Sequence, residues 1–362
     1  MDNKKKIISL FAGGLAGSAI ILGTPVMADT ENFPEHFSEE VNGVSFDTEI
    51  ELPEGLDLSA LTTATAVLQK LDTEKAASVL LSGKTVEKEE LHSFQGDSGT
   101  IDARNYILDD GTLVNLDMML TYSTPFCNDV RNAFRVEKTE EFNADNYRMD
   151  GELGFDSVEA SFEKVTDIIE SCGYRLEQSD YISYALDAVT MQAQERITDK
   201  AGAEASGSGR NWESEDDCYS FYAEQTYEDL PVYYGSQVFP DDGVTNRPIQ
   251  AIYSVRGLEE LRVTNLYEFT STGEKVELLD FNTLAEKVAS KYGDLLTTAK
   301  YQVNRARLYQ MPAAALSGDY KVRPVWLFEV LETGTDSETG SGYTMTSYTF
   351  LDAQTGEEVA VG

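Results

Sequence analysis

The feature that most restricts the fold is a strand–turn–strand pattern written twice. Phe269-Thr-Ser-Thr-Gly273-Glu274-Lys-Val276 and Phe350-Leu-Asp-Ala-Gln-Thr-Gly356-Glu357-Glu-Val359 each end a β-rich run near an aromatic residue. Each then places Gly where a turn needs positive φ and resumes with a short strand. A helix, a crossing strand and long antiparallel strands accompany the pattern roughly twice, which points to a pseudo-repeat of one α+β scheme.

Residues 29–56 are acidic and weakly patterned and read as an extended arm. Leu58, Leu61, Leu68 and Leu71 fall at helical spacing, and Val79-Leu80-Leu81 extend the apolar face, so a helix is predicted over 58–81. Asn105–Leu108, the acidic turn Asp109-Asp110-Gly111 and Thr112–Thr121 read as a hairpin. A second helix, 157–172, has Asp156 and Glu159 at capping-box spacing, a stripe of Val158, Phe162, Val165, Ile169 and Cys172, and Gly173 to end it. A third is predicted at 187–200, with a Gly/Ser/Ala loop at 201–210, then strands at 218–223 and 232–234.

Strands at 249–255 and 261–270 precede a helix at 283–292, with Thr283 and Glu286 at capping-box spacing and Gly293 as its stop. Strands at 300–309, 323–332 and 343–352 follow, the last two joined by the polar loop Gly334–Gly342. The expected fold class is therefore α+β, in tandem units of a helix packed on a small antiparallel sheet. The expected division is a leader at 1–28, the arm at 29–56, and units at 57–150, 151–245 and 246–362.

The leader carries Lys4, Lys5 and Lys6, an apolar run from Ile7 to Leu22, and Val26-Met27-Ala28 before Asp29. That is a secretory signal with cleavage between Ala28 and Asp29. An uncleaved anchor is the competing reading, because 7–23 approaches the roughly 20 residues that span a bilayer. Four glycines and Pro25 favour removal. No Cys precedes Cys127, so a lipid-anchored leader is not expected. The protein is expected outside the cell or in the cell envelope, with no stable membrane insertion after cleavage.

The formal charge is −36, and loss of three Lys and one Asp with the leader makes it −38. Nucleic acid and anionic lipid are poor partners for such a surface, since no basic patch could release counterions from phosphate. An apolar fraction of 41%, with 19 Tyr and 16 Phe, argues for folded cores. Cys127, Cys172 and Cys218 are too few for a disulfide-stapled scaffold. Buried thiols are the favoured reading, and one bridge such as Cys172–Cys218 stays open.

His36 and His92 are the only histidines and read as surface residues, which leaves no positioned base for a Ser or Cys nucleophile. Glu213-Ser-Glu215-Asp216-Asp217 and Asp241-Asp242-Gly243 offer oxygen ligands without EF-hand spacing. No catalytic set, metal or cofactor is expected. The enriched feature is aromatic: Trp212, Tyr219, Tyr222, Tyr233 and Tyr234 are the candidate binding face, although strand alternation sends half of such rings to a core.

Arg323-Pro324-Val325-Trp326-Leu327-Phe328-Glu329-Val330, closing on Tyr348-Thr-Phe350-Leu-Asp352-Ala353-Gln354-Thr355-Gly356-Glu357, resembles the end of a PepSY-type domain. It is also similar to the tandem extracellular domains of regulators that restrain a cell-wall sensor kinase in Gram-positive bacteria. The resemblance covers 280–359 and, more faintly, 155–276. It implies a non-enzymatic exported binding or regulatory protein acting through a sheet face or edge, with an extracellular protein or cell-wall partner. Those regulators keep an N-terminal membrane helix, whereas this leader reads as cleaved. A secreted hydrolase using paired carboxylates, and a cell-wall or glycan-binding module, are the alternatives.

Overall fold

At Val41-Asn42-Gly43-Val44 both central residues take positive φ, 48° and 80°, as a two-residue turn between twisted strands requires. It joins β1 (His36–Val41) to β2 (Val44–Glu51). The computed structural model describes residues 32–96, 99–134, 146–149, 151–176, 179–196, 209–235, 247–293, 295, 299–315, 318–336 and 339–360.

After β2 come β3 (Thr62–Leu68), α1 (Thr73–Leu80), β4 (Val86–Gly96), β5 (Gly99–Leu108), β6 (Leu113–Leu116) and β7 (Leu120–Ser123). Next are α2 (Phe126–Ala133), β8 (Arg148–Met149), α3 (Val158–Ser171), β9 (Ser179–Leu186), α4 (Ala188–Gln194), β10 (Cys218–Tyr227) and β11 (Leu230–Pro231). The last third holds β12 (Ile249–Ser254), β13 (Gly257–Val263), β14 (Tyr267–Lys275), α5 (Phe281–Gly293), β15 (Lys300–Ala314), β16 (Tyr320–Thr335) and β17 (Gly342–Asp352).

These elements form two compact units. The first takes Met1–Val67, Thr226–Val238 and Phe269–Gly362, and the second Leu68–Gln225 and Phe239–Glu268. In the first, seven strands run β1-β2-β15-β16-β3-β14, with β17 also beside β16. β2 and β15 are parallel, and Thr48 Oγ1 donates to the Val303 carbonyl at 2.8 Å across 255 residues of sequence. The core joins Phe281, Leu284 and Val288 of α5 to Phe46, Val303, Leu308, Trp326 and Phe328 of the sheet.

The second unit is built on the antiparallel strand order β4-β5-β6-β7-β13-β12-β10-β9-β8. Alternation on β10 divides its side chains between two cores. Tyr219, Phe221 and Ala223 pack with Val165 and Ile169 of α3 and Ala76 of α1. Cys218 and Tyr222 pack with Val130 of α2 and Met191 of α4. Covering both faces explains why the strand reads as a nearly continuous apolar run.

The expected fold class is overturned. Among the described residues the chain is mostly β, 48% strand against 21% helix, in one large mixed and one large antiparallel sheet, not in tandem helix-on-small-sheet units. Element types were mostly legible, but pairing is long-range: β16 takes β15, β17 and β3 as neighbours. The 29–56 arm is corrected as well. Its described part includes β1 and β2, whose Phe37, Val44 and Phe46 are buried.

The 58–81 helix is replaced by a 3-10 turn at Leu58–Ala60, then β3, then α1. Leucine spacing suggested a helix, but Thr62-Thr-Ala-Thr-Ala66 is stiff at χ1 and alternates, and its Ala64 and Ala66 are buried. The strand expected at 261–270 breaks at Asn265, which takes φ 50° between β13 and β14. Ser157, not Asp156, caps α3 by accepting from Ala160 N–H, and Gly173 takes φ 105° just beyond the helix. Asp280 caps α5 by accepting from Thr283 N–H at 2.9 Å, so that helix starts at Phe281.

Candidate functional site

The aromatic residues singled out above do not make one exposed face. Trp212, Tyr219 and Tyr222 are buried in the second unit, and Tyr233 is buried in the first. Tyr234 is half-buried. The Tyr219 hydroxyl donates to the Asp156 carbonyl at 2.9 Å, and Tyr233 packs edge-on to Tyr309 and Phe350. These rings are core residues. Ala28 and Asp29 lie outside the described residues, as do Asp241, Asp242 and Gly243.

From the acidic run 213–217, Asp216 serves an ion network in the second unit, while Asp217 accepts from the Ala188 N–H at 2.7 Å. Asp216 is buried and accepts from Arg210 at 2.7 Å and from Arg256 at 3.1 Å. Both guanidinium groups lie over the Phe126 ring, at 5.1 and 4.3 Å from its centre. Arg256 also donates to Glu259 Oε1 at 2.8 Å, and Glu259 accepts from Ser254 and Thr124 as well. Burial by itself would raise the Asp216 carboxyl, yet the Arg210 hydrogen bond and the flanking charges hold it below the ordinary aspartate value. The Asp216 and Glu259 carboxylates are thus committed to arginine. Among the described residues no group of three His, Cys, Asp or Glu side chains could hold a metal ion.

The three cysteines are free and buried. Desolvation, with Glu260 nearby, pushes the Cys127 thiol up to about 12, and desolvation raises Cys172 to about 11. Thiols held protonated in this way are poor nucleophiles. His36 pairs with Asp47 at 3.0 Å and His92 lies near Glu90, and both imidazoles are about half exposed.

A shallow cleft of about 230 Å³ opens between α2 and the β6–β7 strands. Asn115, Thr121, Ser123, Asn128 and Arg131 line it, and Arg131 is already paired with Glu260. It is smaller than the usual small-molecule pocket.

The most distinctive surface is the β16–β17 ribbon of the first unit. Trp326 and Leu351 face each other in the core, as do Phe328 and Thr349, and the same face continues outward through Glu332 opposite Met345 to Gly334 opposite Tyr343. The inner end is fastened: Arg323 reaches Asp352 at 2.9 Å, and Asp352 Oδ1 accepts from Gln354 and Thr355 N–H. Gly356, at φ 67°, returns the chain, and Val359 N–H donates to the Phe350 carbonyl at 2.8 Å. The turn expected at 352–357 is present there. Its counterpart Gly273 also takes positive φ, 75°, but lies within β14.

Beyond this return, β17 has no strand along its outer side from Gly342 to Thr349 among the described residues. From Gly342 to Leu351 it carries no charged side chain, and Tyr343 and Met345 are 37% and 52% exposed. The strands ending each sheet differ: β1 carries Glu39 and Glu40, β4 carries Glu87, Lys88, Glu89 and Glu90, β14 carries Glu268 and Glu274, and β8 begins with Arg148. Charges on edges block unwanted strand pairing. β17 lacks them. Sequence reasoning missed this edge, although the uncharged run Gly342–Leu351 in so acidic a chain was a visible signal.

No family model matches the chain, and no curated protein matches its sequence. Among solved structures it is similar to an uncharacterized protein from Eubacterium rectale ATCC 33656, with a TM-score of 0.59 and 16% identity. That match covers 91% of this chain and 94% of the other. The two share a fold across nearly their whole lengths.

Proposed function

We propose that this is an exported, non-enzymatic binding or regulatory protein that engages an extracellular or cell-envelope partner through the open edge of β17. The observation that carries the reading is the uncharged outer side of β17, with Tyr343 and Met345 exposed. An added strand would gain main-chain hydrogen bonds there, and alternate side chains would supply selectivity. The Lys4–Lys6 leader supports export, and the PepSY-like ending supports a regulatory role over a catalytic one.

The test compares the mature chain with a Thr346→Pro chain as baits on envelope extracts. Proline removes a backbone donor and disturbs the edge. A specific protein retained by the native bait and lost by the proline bait is expected. Equal recovery by two folded baits would remove the edge from the reading. N-terminal sequencing of the secreted product checks export, with Asp29 expected as its first residue.

A further inference from the structure

We propose that the open edge of β17 takes up an uncharged extended segment, about eight residues long, as an added strand. This rests on the edge reading above and specifies the chemistry of the partner. The pairing shows which backbone groups the edge offers. The Phe350 carbonyl accepts from Val359 N–H, and Asp352 N–H donates to the Glu357 carbonyl. Even-numbered residues of β17 therefore turn their backbone groups away from β16, and odd-numbered residues turn theirs toward it. Thr344 and Thr346 thus present N–H and C=O outward. The C-terminal return closes the edge at Phe350, which leaves Gly342–Thr349, roughly 26 Å of strand, for an occupant.

The charges bordering this stretch are engaged within the chain. Glu332 accepts from the Tyr343 hydroxyl at 2.6 Å, and Glu329 lies in register opposite Arg305 of β15. Lys291 of α5 donates to Thr349 Oγ1 at 3.1 Å and pairs with Glu358. Asp336 accepts from Thr339 N–H at 2.7 Å. A charged residue on the incoming strand would lose part of its hydration beside Met345 and find none of these as a free counter-ion. An uncharged residue avoids that cost. Thr344 and Thr346 suit β-branched or hydroxyl partners directly across, and exposed Met345 suits an apolar one. Attraction of a cationic segment to a chain of formal charge −36 is diffuse, belongs to no single edge and is screened by salt.

The experiment uses the mature chain and end-capped, labelled octapeptides of Val and Thr whose two guest positions are both Gln, both Lys or both Glu. Anisotropy titrations are run at high salt, where diffuse attraction is screened, with oligomeric state followed by analytical ultracentrifugation. The Gln peptide is expected to bind about fivefold more tightly than either charged peptide. Thr346→Pro should abolish this binding, because it removes an outward donor and spares the bonds to β16. Met345→Lys should turn the preference to the Glu peptide, which separates the neutrality of the edge from the peptides' own strand preferences.

A Lys peptide that matches or exceeds the Gln peptide, with both sensitive to Thr346→Pro, would overturn the neutral assignment and leave the edge reading intact. An unchanged order of the three peptides on the Met345→Lys chain would do the same. Binding unaffected by Thr346→Pro would place the peptides elsewhere and overturn this inference. Failure of all three peptides on a folded chain would overturn both proposals. Dimerisation lost in the Thr346→Pro chain would make a second copy the occupant and overturn the peptide assignment.

Discussion

Tyr343 lies across Gly334 so closely that a Cβ on the glycine would come within 2.6 Å of the phenol oxygen. The missing side chain leaves room for the ring, which screens a stretch of ribbon backbone that has no side chain of its own. The Tyr343 hydroxyl donates to Glu332 Oε1 at 2.6 Å.

That bond, with further acidic neighbours, raises the Tyr343 pKa above the ordinary tyrosine value. Gly334→Ala should displace the ring and return the pKa toward normal, as read by NMR titration of labelled tyrosine. The associated stabilisation is complete below the ordinary tyrosine pKa and is lost as pH rises through the raised folded value. An unchanged titration in the alanine chain would separate Tyr343 from Glu332.

Arg256 fastens Asp216, Glu259 and Phe126 together. Arg256→Ala should destabilise the second unit by about 1–3 kcal/mol, because it removes charge-assisted hydrogen bonds from a buried carboxylate. Chemical denaturation measures this. Since the Asp216 pKa is depressed, its stabilisation is present above the ordinary aspartate pKa and is lost as pH falls through the folded value. Arg256→Ala should therefore flatten the acid limb of the stability profile.

The thiols give a direct probe of packing. In the native chain at pH 8, Cys127, Cys172 and Cys218 should resist a thiol-reactive dye, because each is buried and raised in pKa. All three should react after unfolding in guanidinium without reductant. Prompt reaction of a native thiol would contradict its burial.

Phe281 ties α5 to the first unit's sheet, with ring centres 5.2 Å from Phe37, 5.9 Å from Trp326 and 5.9 Å from Phe328. Phe281→Ala should cost about 3–5 kcal/mol, near the limit a domain tolerates. Loss of the native Trp326 emission at lower denaturant concentration is the expected readout.

Near-neighbour chemistry made many elements legible. Asp109-Asp110-Gly111 turns β5 into β6, the stripe from Val158 to Ile169 forms α3, and Gly173 follows that helix with positive φ. Even so, Gly293 shows how a correct position can hide a different cause. It sits at the end of α5 with no positive φ, and its missing side chain makes room for the Asn42 carbonyl, which a Cβ would meet at 2.5 Å.

What the sequence by itself determined was therefore local: turn positions, helix faces and acidic charge. Tertiary structure decided the rest. Whether Tyr219 and Tyr222 faced solvent depended on helices covering both sides of β10, and whether β17 kept a free edge depended on which strands reached β16. Both outcomes arise from pairing between residues far apart in the chain. Backbone hydrogen bonds and buried area select those partners, and side-chain periodicity within a single strand carries no record of the choice.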